Sequence, residues 1–214
     1  MTSKKRFLPK LAASTVDYYS LKSKEFNGAQ RVGWRDEKAQ TARFKKLCYA
    51  LDLEKPFTIT DLGCGMGAFL DYLRERTQVS FRYTGYDLLD DMIHNCKKGH
   101  ADSTIAEFII LKDMEQVVQS DYTVASGIFN LKGDNDENTW LDYIKYTLSE
   151  MHQRSKKGFA ANFLTRYSDP EKRESTLYYA DPLEVFDYVK RELTSSAALL
   201  HDYQEYDFTI AGFI

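Results

Sequence analysis

The chain has 214 residues, 43% of them hydrophobic and 14% aromatic, which is enough for one sizeable core and too little for two full domains. Its 29 basic residues stand against 32 acidic ones for a net charge of −3, and no segment combines a dense basic run with interleaved aromatics, which argues against nucleic acid as a partner. The basic start Lys4-Lys5-Arg6 runs into Pro9 and Lys10, and no stretch approaches the ~18 apolar residues of a membrane span, so neither a signal peptide nor membrane attachment is expected. Cys48, Cys64 and Cys96 are odd in number, without a CxxC or companion histidines, so reduced thiols, a cytoplasmic location and no metal site are expected.

Residues 1–35 lack a clean period and form an N-terminal lead-in to a single domain over 36–214. Its aromatics could pack on the domain edge. Alternatively, Gly28 and Gly33 could hinge a flap in which Tyr18, Tyr19 and Trp34 shield a ligand from water. From Asp36 to Leu51, apolar residues at helical spacing alternate with Lys38, Arg43 and Lys46 on the other face. Pro56 ends that approach, and Phe57 to Asp61 is the first core strand.

Gly63-Cys64-Gly65-Met66-Gly67 then turns the chain into a helix marked by Ala68, Phe69, Tyr72 and Leu73. Dense glycine lets a ligand approach the main chain. The pattern continues with a strand over Ser80 to Asp87, a helix over Leu88 to Lys98 stopped at Gly99, and strands over Glu107 to Leu111 and Asp121 to Phe129. A helix follows from Trp140 to Arg154 and a strand from Phe159 to Leu164. Asp181-Pro182 caps and opens a helix reaching about Leu193. Ala197 to His201 and Tyr206 to Ile214 read as an antiparallel hairpin.

Mostly apolar strands alternating with helices predict an α/β fold, a doubly wound sheet covered on both faces. Ligands bind such sheets at the carboxyl ends of the strands, near the topological switch point. Asp61, Asp87, Asp113, Asn130 and Thr165 all fall where predicted strands end. A dinucleotide fingerprint can be laid on Gly63, Gly65 and Ala68. Against it, Asp61 directly before the turn would oppose a pyrophosphate and suits a cofactor bearing a sulfonium and an ammonium.

Asp61-Leu62-Gly63-Cys64-Gly65-Met66-Gly67 resembles motif I of the class I S-adenosylmethionine-dependent methyltransferases, and Tyr83-Thr84-Gly85-Tyr86-Asp87 resembles the strand supplying their ribose-binding acid. Ala125-Ser126-Gly127-Ile128-Phe129-Asn130 is similar to the fourth-strand motif of a bacterial small-molecule branch. The resemblance runs from about residue 55 to the end. It implies a Rossmann-like seven-stranded sheet in the order 3-2-1-4-5-7-6 with strand 7 antiparallel, and S-adenosylmethionine as cofactor. By that resemblance Gly63, Gly65 and Gly67 pass against the methionine and ribose, and Asp61 lies near the ammonium. Asp87 takes both ribose hydroxyls, Leu88 lies on the adenine, and Asp113 with Met114 holds its edge and face. Arg43 could pair with the cofactor carboxylate, and Trp34 could cover it.

Methyl transfer is an in-line displacement that asks chiefly for orientation and a dry pocket, so no catalytic triad is required and none is seen. For the acceptor side the candidates are Tyr18, Tyr19, Asn162, Tyr178 and Asp181, with Asn130 after the fourth strand and His201 as base at the cleft rim. His94 and His100 flank a helix and read as solvent-exposed. The acidic loop from Asp134 to Glu137 could attract an amine but reads first as solvated. The 15 tyrosines suit a compact polar substrate, and no appended domain is expected, so a small polar acceptor such as a sugar or secondary metabolite leads. A protein or RNA methyltransferase, or a non-catalytic S-adenosylmethionine-binding module, is the alternative.

Overall fold

The structure is a computed structural model that describes residues 37–202 and 206–214. Tyr18, Tyr19, Trp34 and the flap assigned to residues 1–35 lie outside the described residues. Helix α1 (Glu37–Leu47) leads through a 3-10 turn (Cys48–Ala50) into β1 (Phe57–Leu62), α2 (Ala68–Arg76), β2 (Phe81–Asp87), α3 (Asp90–Gly99) and β3 (Ala106–Ile110). After these come β4 (Ser120–Ala125), α4 (Glu137–Arg154), β5 (Ser155–Leu164), α5 (Pro182–Tyr188), β6 (Ser196–Leu200) and β7 (Asp207–Phe213). The strands form one sheet in the order β3-β2-β1-β4-β5-β7-β6, parallel except for β7, which is antiparallel to both β5 and β6. This is the predicted architecture, closing hairpin included.

Alternation along the strands sends Ile59, Tyr83, Val124, Ala160 and Ala211 to the face covered by α1, α2 and α3. Leu62, Tyr86, Ala125, Phe159, Phe163 and Phe208 point to the other face, under α4 and α5. Two of the helices start where an aspartate supplies a partner for their open N–H groups. Asp136 accepts from the Thr139 amide at 3.0 Å to open α4, so the acidic loop supplies a cap. Asp181 accepts from the Leu183 amide at 2.9 Å to open α5, with Pro182 in the first turn. Past Tyr188 the helix relaxes into a π turn over Val189–Leu193 rather than continuing as α.

The fourth strand stops at Ala125, four residues short of the predicted end. Gly127 adopts a φ of +83° and diverts the chain into a loop. That loop is pinned from below. The Phe129 ring stacks on Phe163 at 4.9 Å, Phe163 stacks on Phe208 at 5.0 Å, and the Trp140 indole N–H donates to the Phe129 carbonyl at 2.8 Å. Trp140 is fully buried, so Trp140→Ala removes both a large apolar surface and the bond that fixes the loop. It is expected to cost ~3–5 kcal/mol, read as a lowered midpoint in urea unfolding.

Candidate functional site

At the carboxyl edge of the sheet, β1 lies between β2 and β4, and the chain leaves β1 toward one side and β4 toward the other. This is the switch point, and three segments meet there. In the loop after β1, Gly63, Gly65 and Gly67 all take positive φ, at +77°, +52° and +83°, a region that favours glycine because it has no Cβ. The Gly63 and Cys64 amides donate to the Tyr86 carbonyl at 2.7 and 3.0 Å. From the end of β2, one Asp87 oxygen accepts from the Gly65 amide at 2.9 Å and the other from the Leu89 amide at 3.0 Å. From the β4 loop, Ile128 packs so closely on Gly63 that a Cβ there would lie 2.2 Å from its Cγ2.

Two carboxyl groups at this point are pushed above their usual range. Burial raises Asp61 to about 7, with the Asp87 charge adding to the effect and a Tyr83 hydrogen bond opposing it. The Tyr83 hydroxyl donates to Asp61 at 2.5 Å, and both side chains are buried. Burial also raises Asp87, while the N–H bonds from Leu89 and Gly65 act to lower it.

The other predicted site residues divide. Leu88 is half-buried beside Asp87. Asp113 caps the short 3-10 turn Met114–Gln116, accepting from Glu115, and the Met114 side chain is buried in the core, which leaves its backbone as the part able to meet a ligand. Arg43 does not stand open for a cofactor carboxylate. Its guanidinium is ion-paired with Asp207 at the start of β7, both buried. Asn162 is buried as well, and its amide group donates to the Arg43 carbonyl at 3.3 Å and the Thr209 hydroxyl at 3.1 Å.

Asn130 accepts from the Leu164 amide at 3.2 Å, and its carbonyl accepts from the Tyr178 amide at 2.8 Å, so it ties the β4 loop to the end of β5. Tyr178 is buried, and Asp181 caps α5 and pairs with Arg166 at 2.6 Å. These polar residues meet backbone groups that irregular chain would otherwise leave unsatisfied. His201 sits at the carboxyl edge but just past β6, with three strands between β6 and β1. Its ring contacts Tyr167 and Phe208. His94 is exposed as expected, whereas His100 is packed, stacking on Phe108 at 5.4 Å behind Gly67.

One residue to which sequence reasoning gave no role of its own is Ser126, just past β4. Its hydroxyl oxygen is buried and has no hydrogen-bond partner among the described residues. The signal available was its position at a strand end beside Gly127. Among the described residues there is no cluster of three or more histidine, cysteine, aspartate or glutamate side chains arranged to hold a metal, and no helix long and apolar enough to cross a membrane.

No family model matches the chain. A protein named "Putative methyltransferase Rv1506c" from Mycobacterium tuberculosis is 43% identical over 157 residues, covering 72% of this chain and 92% of that one. The chain belongs to the class I S-adenosylmethionine-dependent methyltransferases. Solved structures agree on the fold of this methyltransferase. The magnesium protoporphyrin IX methyltransferase ChlM of Synechocystis, with bound S-adenosylhomocysteine, has a TM-score of 0.66 at 10% identity, over 94% of this chain and 99% of that chain. The N-methyltransferase NodS of Bradyrhizobium japonicum, also with S-adenosylhomocysteine, has 0.63 at 12% identity, over 94% and 98%.

The switch point of the methyltransferase fits the family's cofactor. A carboxylate offers about four acceptor positions; each Asp87 oxygen meets a backbone amide, Gly65 on one and Leu89 on the other, which leaves acceptor capacity on the carboxylate for a hydroxyl. The orphaned Ser126 hydroxyl supplies a polar atom unsatisfied among the described residues at the adjoining strand end.

Two outcomes follow from the buried charges. Asp61 has a folded-state value of about 7 against an ordinary 3.8. Its contribution is therefore fully present below the ordinary value and is lost as pH rises through the folded one. In the ligand-free protein, Asp61→Asn should flatten the decline in stability between those two values, measured by urea unfolding across a pH series. Arg43→Ala leaves the buried Asp207 carboxyl without its cation, and is expected to cost ~3–5 kcal/mol. A melting curve of Arg43→Met with Asp207→Leu should show recovery of much of that loss.

Proposed function

We propose that this methyltransferase carries the methyl group of S-adenosylmethionine to a small polar acceptor, a sugar or secondary metabolite. The observation that carries the reading is the doubly anchored Asp87 carboxyl, which stands at the switch point with acceptor capacity remaining. Asp87 takes both ribose hydroxyls, Leu88 lies along the adenine, and Asp113 with the Met114 backbone holds its edge. The backbone of Gly63, Gly65 and Gly67 passes along the ribose and methionine, where N–H groups at the start of α2 add their positive ends. Asp61 faces the methionine ammonium from below.

When bound, the cofactor supplies a methyl group on a cationic sulfur that is already a good leaving group. The protein's share is to align donor and acceptor and to keep water away. Ile128, seated on Gly63, and the anchored β4 loop give that alignment a rigid wall. Several features support a small polar acceptor. The net charge is −3, no dense basic run is interleaved with aromatics, and Tyr167 and Tyr206 are exposed at the carboxyl edge.

Asp87→Ala should weaken S-adenosylmethionine binding by ~1.5–3 kcal/mol, because charge-assisted hydrogen bonds are lost, with calorimetry as the readout. Incubating the wild-type protein with methyl-labelled S-adenosylmethionine and fractionated cell extract then identifies the acceptor. Label in the small-molecule fraction is the expected result; label confined to RNA or protein fractions overturns the acceptor class.

A further inference from the structure

The Asp61–Tyr83 pair lies outside the roles given to the glycine loop. Tyr83 is in the middle of β2, two residues before the position paired with Asp61, and its hydroxyl reaches across the strand boundary to the carboxyl at 2.5 Å. The tyrosine is 1% exposed and the aspartate 3%. An aromatic residue in a buried strand needs no hydroxyl for packing, and a buried hydroxyl is retained at a cost unless it is bonded. The ionisable groups acting on Asp61 among the described residues are few. Tyr83 comes from β2, Asp87 from the end of β2 and the Cys64 thiol from the loop, while α3 brings the Cys96 thiol against Cys64, and His100, just past that helix, lies behind Gly67. From α1 and α2 this face receives Phe44 and Phe69, and the Arg43 guanidinium of α1 is paired with Asp207. A cation arriving over the loop would therefore be the compensating positive charge for Asp61.

We propose that Tyr83 is a positioning residue that holds the Asp61 carboxyl toward the methionine end of the cofactor, and that this pair makes cofactor binding proton-linked. This rests on the cofactor placement given above. Binding a cation beside a buried carboxyl requires that carboxyl to be ionised, so Asp61 gives up its proton to solvent as the ligand enters. The Tyr83 hydroxyl donates to the ionised form and lowers the work of that step. The burial-raised value of Asp61 puts the transition within an accessible pH range.

Calorimetry of the full chain between about pH 5.5 and 7.5, a window below the usual α-amino range, tests this with three ligands. S-adenosylmethionine carries an ammonium and a sulfonium, S-adenosylhomocysteine carries only the ammonium, and 5′-methylthioadenosine carries neither. S-adenosylmethionine should tighten on the order of tenfold as pH rises across the window, as expected when one group titrates near its midpoint, whereas 5′-methylthioadenosine should stay flat. If the ammonium is the partner, S-adenosylhomocysteine follows the first; a flat profile for it places the sulfonium there instead, and either result supports the linkage.

Tyr83→Phe keeps the ring and removes the donor. It should move the rise in affinity to higher pH, weaken S-adenosylmethionine several-fold at neutral pH and leave 5′-methylthioadenosine unchanged. Asp61→Asn should give a flat profile for all three. A purely structural role would weaken the three ligands alike without moving the profile, and that result overturns the proposal. Wild-type binding that is pH-independent overturns it while leaving the cofactor placement intact, and no binding of any ligand overturns both.

Discussion

The hydrogen bond from the Gly65 amide to the Asp87 carboxyl joins the ends of two strands that the chain reaches 22 residues apart. Its acceptor ends β2, and its donor belongs to a loop whose backbone conformations only glycine takes up at low cost. Once that bond and the paired amides of Gly63 and Cys64 on the Tyr86 carbonyl are made, the start of α2 is set in direction. The β4 loop then closes on the same glycines through Ile128. Elements from both sides of the switch point thus share one small patch of backbone, and side chains that touch no ligand, Trp140 and Phe163 among them, govern its shape.

The buried face between α1 and the sheet works differently. There Arg43 and Asp207 neutralise each other away from water, with Asn162 and Thr209 beside them. Low dielectric makes such a pair strong only while both members are present. The arrangement holds α1 across β5 and β7, and it brings the helix close to α2 through the tilted rings of Phe44 and Phe69, 5.1 Å apart.

What the sequence disclosed and what it hid follow from range. The glycine spacing and the acid at the end of the next strand are local patterns, and the sheet order came with the resemblance they carry. The closing hairpin was legible because its two strands are separated by a short polar stretch. Arg43 was misread because its partner lies 164 residues away and no periodicity encodes that meeting. Asn130, Asn162 and Asp181 read as acceptor-side candidates, yet each bonds the protein's own backbone, at the Leu164 amide, the Arg43 carbonyl and the Leu183 amide. Tyr83 fell within a predicted strand; that its hydroxyl finds Asp61 depends on strand register. His100 read as exposed because the ring of Phe108, which covers it, comes from a different element.

The position of β7 has a consequence for how the molecule is made. It comes after the other strands in the chain, yet it lies between β5 and β6 rather than at the margin. A nascent chain that has emerged from the ribosome only as far as β6 leaves the inner edge of β5 with its amides and carbonyls unpaired, and that edge is a template for the wrong strand. Asp207, the first residue of β7, is the one that meets Arg43. Pairing of the β5 edge therefore waits on β7, and until then that edge depends on its surroundings for protection.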